Sequence, residues 1–159
     1  MALVFLSLGS NLGDRRVNLS DAIGMIESSV GMVLLTSGEY ETQSWGYESS
    51  NLFLNLVIKI ESDLEPEEIL VEVKNIEHKL GRTGENSEYA DRPIDIDILF
   101  YDDKIITTEM LVIPHLLIQQ RMFVLEPLNE IAHEEENSAV AVSISELLKR
   151  LIEKPSRES

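Results

Sequence analysis

Cysteine is absent from the 159 residues, which removes a disulfide framework, a thiolate nucleophile and a Cys-ligated zinc site from consideration. Basic residues are scarce: 13 Lys and Arg face 29 Asp and Glu, a formal net charge of -16. A field this negative repels polyphosphate backbones and anionic lipid, so general affinity for nucleic acid or a membrane surface is not expected. Any phosphate-bearing ligand must then meet a local basic cluster or metal ions. Long apolar runs are also missing; none approaches the roughly 18 to 20 residues that span a bilayer. The opening Met-Ala-Leu-Val-Phe-Leu lacks a basic n-region and reads as a strand, so a cytoplasmic location is expected. None of the 8 glycines is followed directly by lysine, which excludes a Walker-type loop for γ-phosphoryl transfer. What remains is the composition of one soluble domain, 43% hydrophobic and 26% charged, covering residues 1–159 with a charged tail, 154–159, expected to fray.

The pattern along the chain alternates between the two regular periods. Residues 2–8 read as a strand ending in Gly9-Ser10-Asn11. Asp14 then caps a helix in which Leu19, Ala22, Ile23 and Ile26 form one apolar stripe. Residues 32–40 read as a second strand. Residues 52–60 read as a third, with Leu52, Leu54, Leu56, Ile58 and Ile60 on one face. Pro66 and Gly81 punctuate a helix whose buried face carries Ile69, Val73, Ile76 and Leu80. Residues 82–93 lack a period and read as an exposed mobile loop, before the alternating strand 94–101. The order predicts an α+β fold: a ferredoxin-like βαββαβ core, an antiparallel sheet with helices on one face. Extra C-terminal elements follow: a short strand pair over 105–113, a helical turn over 114–120, and a helix opened by the capping-box pattern Ser143 to Glu146.

Two aspartates carry the strongest chemical signal. Asp95 and Asp97 lie two apart on a strand, so both carboxylates leave one face while Ile94, Ile96 and Ile98 leave the other. Hard oxygen donors at that spacing suit Mg²⁺; a solvated edge-strand face is the plain alternative. Arg82 and Arg92 bracket the loop that delivers the aspartates, and Arg121 adds a third guanidinium suited to phosphate oxygens. His115 and Lys74 are further donors, although Lys74 and Glu77 also have the spacing of an ordinary i,i+3 ion pair. Phe53 and Asn55 share the strand face opposite the leucines, where an exposed aromatic and an amide could stack on and hydrogen-bond a flat polar heterocycle. Phe123 is a second candidate plate. At Gly9-Ser10-Asn11 an ordinary strand-to-helix turn competes with close backbone approach to a ligand and is preferred.

In chain order, Ser7-Leu-Gly-Ser-Asn-Leu-Gly13, Phe53-Leu-Asn-Leu-Val57, Ile76-Glu-His-Lys-Leu-Gly-Arg82, Asp91-Arg-Pro-Ile-Asp-Ile-Asp-Ile-Leu99 and Ile113-Pro-His115 through Arg121-Met-Phe-Val-Leu-Glu-Pro-Leu128 resemble the 6-hydroxymethyl-7,8-dihydropterin pyrophosphokinase family. The resemblance runs from about Ala2 to Ala132. It implies pyrophosphoryl transfer from ATP to a reduced pterin alcohol in folate biosynthesis. Asp95 and Asp97 would hold two Mg²⁺ ions, and Arg82, Arg92, His115, Arg121 and Glu77 would surround ATP, with Arg82, Arg92 and Asp97 catalytic. Phe53 and Phe123 would sandwich the pterin, Asn55 would bond its edge, and backbone near Thr42 and Trp45 would complete the pocket. Tyr89 stands where the family often has tryptophan, Leu116 where it often has an aromatic, and Gly84 and Glu85 where a basic residue is usual. Two other classes share parts of the pattern. A small-molecule sensor would not need paired carboxylates beside arginines, and a metal-dependent phosphohydrolase would leave Phe53, Asn55 and Phe123 without a role. No partner beyond small molecules is implied, and a monomer is expected.

Overall fold

The computed structural model describes residues 1–43, 51–81, 93–102, 104–113, 127–128 and 130–131. Among them lie β1 (Ala2–Ser10), α1 (Arg15–Ser29), β2 (Met32–Thr36), β3 (Tyr40–Thr42), β4 (Phe53–Ser62), α2 (Pro66–Lys79), β5 (Asp95–Tyr101), β6 (Ile106–Thr107) and β7 (Val112–Ile113). Strands β2, β4, β1 and β5 are neighbours in that order, β3 also pairs with β4, and each of these pairings is antiparallel. A hairpin of β6 and β7 forms a separate two-stranded sheet, as the expected short strand pair.

Both helices form for the reasons read from sequence. The Asp14 carboxylate accepts the Val17 N–H at 3.2 Å and caps α1, whose Leu19, Ala22 and Ile26 are buried. Pro66 opens α2, the Glu65 N–H donates to Glu68 Oε1 at 2.8 Å, and Gly81 at φ +109° lets the chain leave the helix. The two helices pack on each other and on one face of the sheet. Val4, Leu6 and Leu8 of β1, Leu54, Leu56, Ile58 and Ile60 of β4, and Ile96 and Ile98 of β5 meet them there in a single core.

Several expectations need correction. The strand read over 32–40 is two strands. Between them Ser37 donates its N–H to the Val57 carbonyl at 2.9 Å and accepts the Val57 N–H on its Oγ at 2.9 Å, and the chain then turns at Gly38. Leu52 precedes β4 and is exposed rather than core, and Leu80, past the end of α2, is half-buried. The sheet face away from the helices is not a solvated face either: Phe5, Val57, Leu99 and Phe100 are buried, and so is Lys59. Phe5 and Phe100 meet edge to face with ring centroids 6.2 Å apart. That pairing follows a register shift between β1 and β5, where Phe5 faces Phe100 but Leu6 faces Ile98. The loop read over 82–93 lies outside the described residues apart from Pro93, as do the turn over 114–120, the C-terminal helix and the tail.

Candidate active site

The site is built on the sheet face away from the helices, at the end of β1 where the chain passes into α1. Strand registry aligns three residues in a row across it: Asn55 of β4, Gly9 of β1 and Asp95 of β5. One step along, Val57, Ser7 and Asp97 form the next row. Two strand spacings separate the outer columns, so the Cα atoms of Asn55 and Asp95 stand about 10 Å apart. Asp95 and Asp97 are both half-buried and face the same way, as their spacing predicts.

Asn55 is buried rather than exposed, at 6% of its free surface, and its orientation is set by protein partners. Its Nδ2 donates to the Tyr40 carbonyl at 3.2 Å and to Thr42 Oγ1 at 2.8 Å. A carbonyl only accepts, so the amide nitrogen must face β3 and the amide oxygen is turned the other way. That oxygen lies over Gly9: a Cβ built there would stand 2.9 Å from Asn55 Oδ1 and 3.4 Å from Phe53 Cδ1. Glycine therefore lets the Asn55 amide oxygen and the Phe53 ring pack directly against the backbone of the middle strand. Phe53 itself is half-buried at the start of β4.

Glu77 is buried on α2, at 2% exposure. Its Oε2 accepts the Ile96 N–H at 2.7 Å, and its Oε1 lies 3.5 Å from Lys74 Nζ. The ion pair expected from their spacing is present, but the carboxylate does more than decorate a helix surface. By bonding the main chain between Asp95 and Asp97, it holds the segment that carries them.

Gly9 and Ser10, read as part of a turn, instead continue β1, and the chain turns from Asn11 to Asp14, where Asn18 Nδ2 donates to Leu12 O at 2.8 Å and Ser10 Oγ at 3.2 Å. Among the described residues no group of three or more His, Asp or Glu forms a potential metal cluster. Asp95 and Asp97 are a pair, and a pair matches the one or two protein carboxylates that Mg²⁺ commonly takes alongside water and phosphate oxygens. The described part of the site thus gathers Asp95, Asp97, Phe53, Asn55 and Thr42 on one side of the sheet, with Glu77 behind β5. Trp45, Arg82, Arg92, His115, Arg121 and Phe123 lie outside the described residues. Sequence reading set Gly9 aside in favour of an ordinary turn and missed Tyr40; the available signals were a glycine ending an apolar strand and a tyrosine beside a polar loop.

Residues 5–133 match the family model described as 7,8-dihydro-6-hydroxymethylpterin-pyrophosphokinase (HPPK). A 2-amino-4-hydroxy-6-hydroxymethyldihydropteridine pyrophosphokinase from Porphyromonas gingivalis is 48% identical over 136 residues, covering 83% of this chain and 92% of that protein. Enzymes of the same name from Aquifex aeolicus and Bacillus subtilis are 40% and 38% identical, covering 82% and 87% of this chain and 81% and 83% of their own lengths. Among solved structures, a Plasmodium falciparum HPPK-DHPS with pterin and p-hydroxybenzoate aligns with TM-score 0.67 at 20% identity, over 96% of this chain and 43% of that one. An HPPK-DHPS in complex with substrates aligns with TM-score 0.67 at 18% identity, over 97% and 45%. The chain spans less than half the length of these two solved proteins, and at such identity they speak for the fold alone.

Proposed function

The chain belongs to the 7,8-dihydro-6-hydroxymethylpterin-pyrophosphokinase family, and from that premise we propose how its residues divide the reaction it catalyses, pyrophosphoryl transfer from ATP to 6-hydroxymethyl-7,8-dihydropterin in folate biosynthesis. The observation that carries the assignment is the row Asn55, Gly9, Asp95, which sets an oriented hydrogen-bond acceptor and a carboxylate on one sheet face with a side-chain-free position between them.

The pterin ring lies between Phe53 and Phe123 and presents a donor edge to Asn55 Oδ1. Backbone near Thr42 and Trp45 completes the pocket. Asp95 and Asp97 would hold two Mg²⁺ ions; their donor type, number and shared face fit a hard cation. When bound, the metal neutralises triphosphate charge and acidifies the hydroxyl of the pterin alcohol. Arg82, Arg92, Arg121 and His115 bind the phosphates and nucleotide, and Glu77 stands on the nucleotide side while holding β5 from its outer edge. The hydroxymethyl oxygen forms a bond to the β-phosphorus, the bond from that phosphorus to the oxygen bridging the α-phosphate breaks, and AMP leaves with the electron pair. Asp97 takes the hydroxyl proton. Such a transition state is charged and loose, so positioning and charge stabilisation carry the catalysis and no covalent intermediate on the protein is needed.

The strand order β2-β4-β1-β5 with both helices on one face supports reading the core as ferredoxin-like. We further take residues 1–159 as a single catalytic domain, working as a monomer in the cytoplasm. No helix among the described residues is long and apolar enough to cross a membrane. The reaction is tested by incubating the chain with ATP, Mg²⁺ and the reduced pterin alcohol and resolving the nucleotides. AMP and a pterin diphosphate ester in equal amounts are expected. ADP as the main product, or phosphate release without pterin, refutes the reading.

A further inference from the structure

Two arginines sit at the electrostatically unfavourable end of a helix. Arg15 and Arg16 open α1, whose first turn contains no acidic residue, although the N-terminal end of a helix carries partial positive charge and favours anions. In a chain with so few basic residues, such placement calls for a compensating use, and both side chains are committed to the same target. Arg15 Nη2 pairs with Glu41 Oε2 at 2.8 Å and its Nη1 donates to the Leu52 carbonyl at 3.0 Å. Arg16 Nε donates to Glu39 Oε1 at 2.8 Å. Glu39 and Glu41 flank Tyr40. The arginines therefore grip β3 on either side of the residue whose carbonyl accepts from Asn55 Nδ2, two residues before Thr42, which accepts the other bond.

Strand β3 needs such support. It is three residues long and among the described residues pairs with β4 only, and so short a strand holds its register poorly by backbone bonds alone. A further tie is Glu130, which accepts from the Gly38 N–H at 3.1 Å and from the Tyr40 hydroxyl at 2.8 Å.

We propose that Arg15 and Arg16 are positioning residues for the heterocycle slot: by pinning Glu41 and Glu39 they keep β3 in register on β4, and β3 in turn fixes which end of the Asn55 amide faces the substrate. The proposal rests on the pterin assignment made above. Neither arginine touches substrate; each acts through β3 and Asn55.

The test is the double variant Arg15→Met, Arg16→Met of the full chain, assayed as AMP formation with pterin and ATP varied separately. The pterin KM rises at least fivefold, while the ATP KM stays within twofold and the melting temperature within a few degrees. Because exposed ion pairs are screened by salt, the pterin KM of the native chain rises between low and high salt, whereas that of the double variant no longer does. Arg15→Lys, with Arg16 retained, keeps the charge but not the fork that reaches Glu41 and Leu52 together, and gives an intermediate value. An unchanged pterin KM in the double variant overturns the proposal. So does a parallel rise in both KM values with a large drop in melting temperature, which marks a general structural role. If the native chain itself forms no AMP with pterin, the functional reading fails; if it does and the variants match it, only this inference fails.

Discussion

Replacing Gly9 by alanine separates the site from the fold. The backbone at Gly9 does not have positive φ, so alanine is conformationally permitted, and restricting the unfolded chain contributes about 0.4–1 kcal/mol of stability. Against this, the new methyl would stand 2.9 Å from Asn55 Oδ1, too close for carbon and oxygen, so the amide must move. The amide cannot move freely, because its nitrogen is bonded at 2.8 Å to Thr42 Oγ1 and at 3.2 Å to the Tyr40 carbonyl. Weakening one such bond costs about 1 kcal/mol. The two effects nearly cancel. The net change in stability is within about 1 kcal/mol, a shift of about 2–4 °C in Tm for a domain of this size. Substrate binding has no such compensation: the methyl displaces the Asn55 acceptor and crowds Phe53, so the pterin KM rises at least tenfold, about 1.4 kcal/mol or more. Steady-state AMP formation with each substrate varied in turn, beside thermal melts of both proteins, measures both quantities. A pterin KM within twofold of the native value refutes the reasoning about the Asn55 acceptor. A loss of stability above about 3 kcal/mol would show instead that Gly9 is needed by the sheet itself.

Other outcomes follow from the same geometry. Asp95→Ala or Asp97→Ala leaves the melting temperature nearly unchanged and lowers turnover more than a hundredfold, on the order of 3 kcal/mol of transition-state stabilisation; chelation of Mg²⁺ abolishes native turnover and readdition restores it. Glu77→Ala strips the Ile96 N–H of its buried acceptor and costs about 1–3 kcal/mol of stability, read by urea denaturation, with turnover falling as β5 loosens. Tyr101 donates its hydroxyl to the Leu64 carbonyl at 2.7 Å, and burial followed by the nearby Glu65 raises its pKa above 10.0. The unfolded chain releases that proton first as pH rises, so stability is intact below pH 10 and declines from there through the folded pKa. Tyr101→Phe makes that alkaline decline shallower and lowers stability at neutral pH by about 1 kcal/mol, both read from melts against pH.

Period and punctuation made much of this molecule legible. Two-residue alternation put Asp95 and Asp97 on one face, and Asp14, Pro66 and Gly81 marked helix ends that the structure reproduces. The break between β2 and β3 was not read because apolar residues continue up to Thr36 and Tyr40 resumes the pattern. The Ser37-Gly38 pair was the available sign of a turn. Burial of Asn55 and Lys59 was hidden for a different reason: alternation says which residues share a face, not whether a later part of the chain covers it. Val57 on that face was the hint, since an apolar residue among the polar positions of β4 marks a strand buried on both sides. Glu77 looked like half of a surface ion pair because its contact with Ile96 joins residues 19 positions apart. Nothing local to α2 announces it.

The row of Asn55, Gly9 and Asp95 also makes the sheet a ruler. Interstrand distance is among the least adjustable lengths in a protein, since changing it breaks a ladder of hydrogen bonds at once. On the proposed assignment, the span between Asn55, which would meet the heterocycle, and Asp95, which would hold metal, is gauged by two such intervals. A substrate arm one carbon longer than hydroxymethyl would carry its oxygen past the mark with the ring still seated. Because a misplacement of about 1 Å can cost roughly a hundredfold in rate, such an analogue would occupy the site and block it far better than it would react.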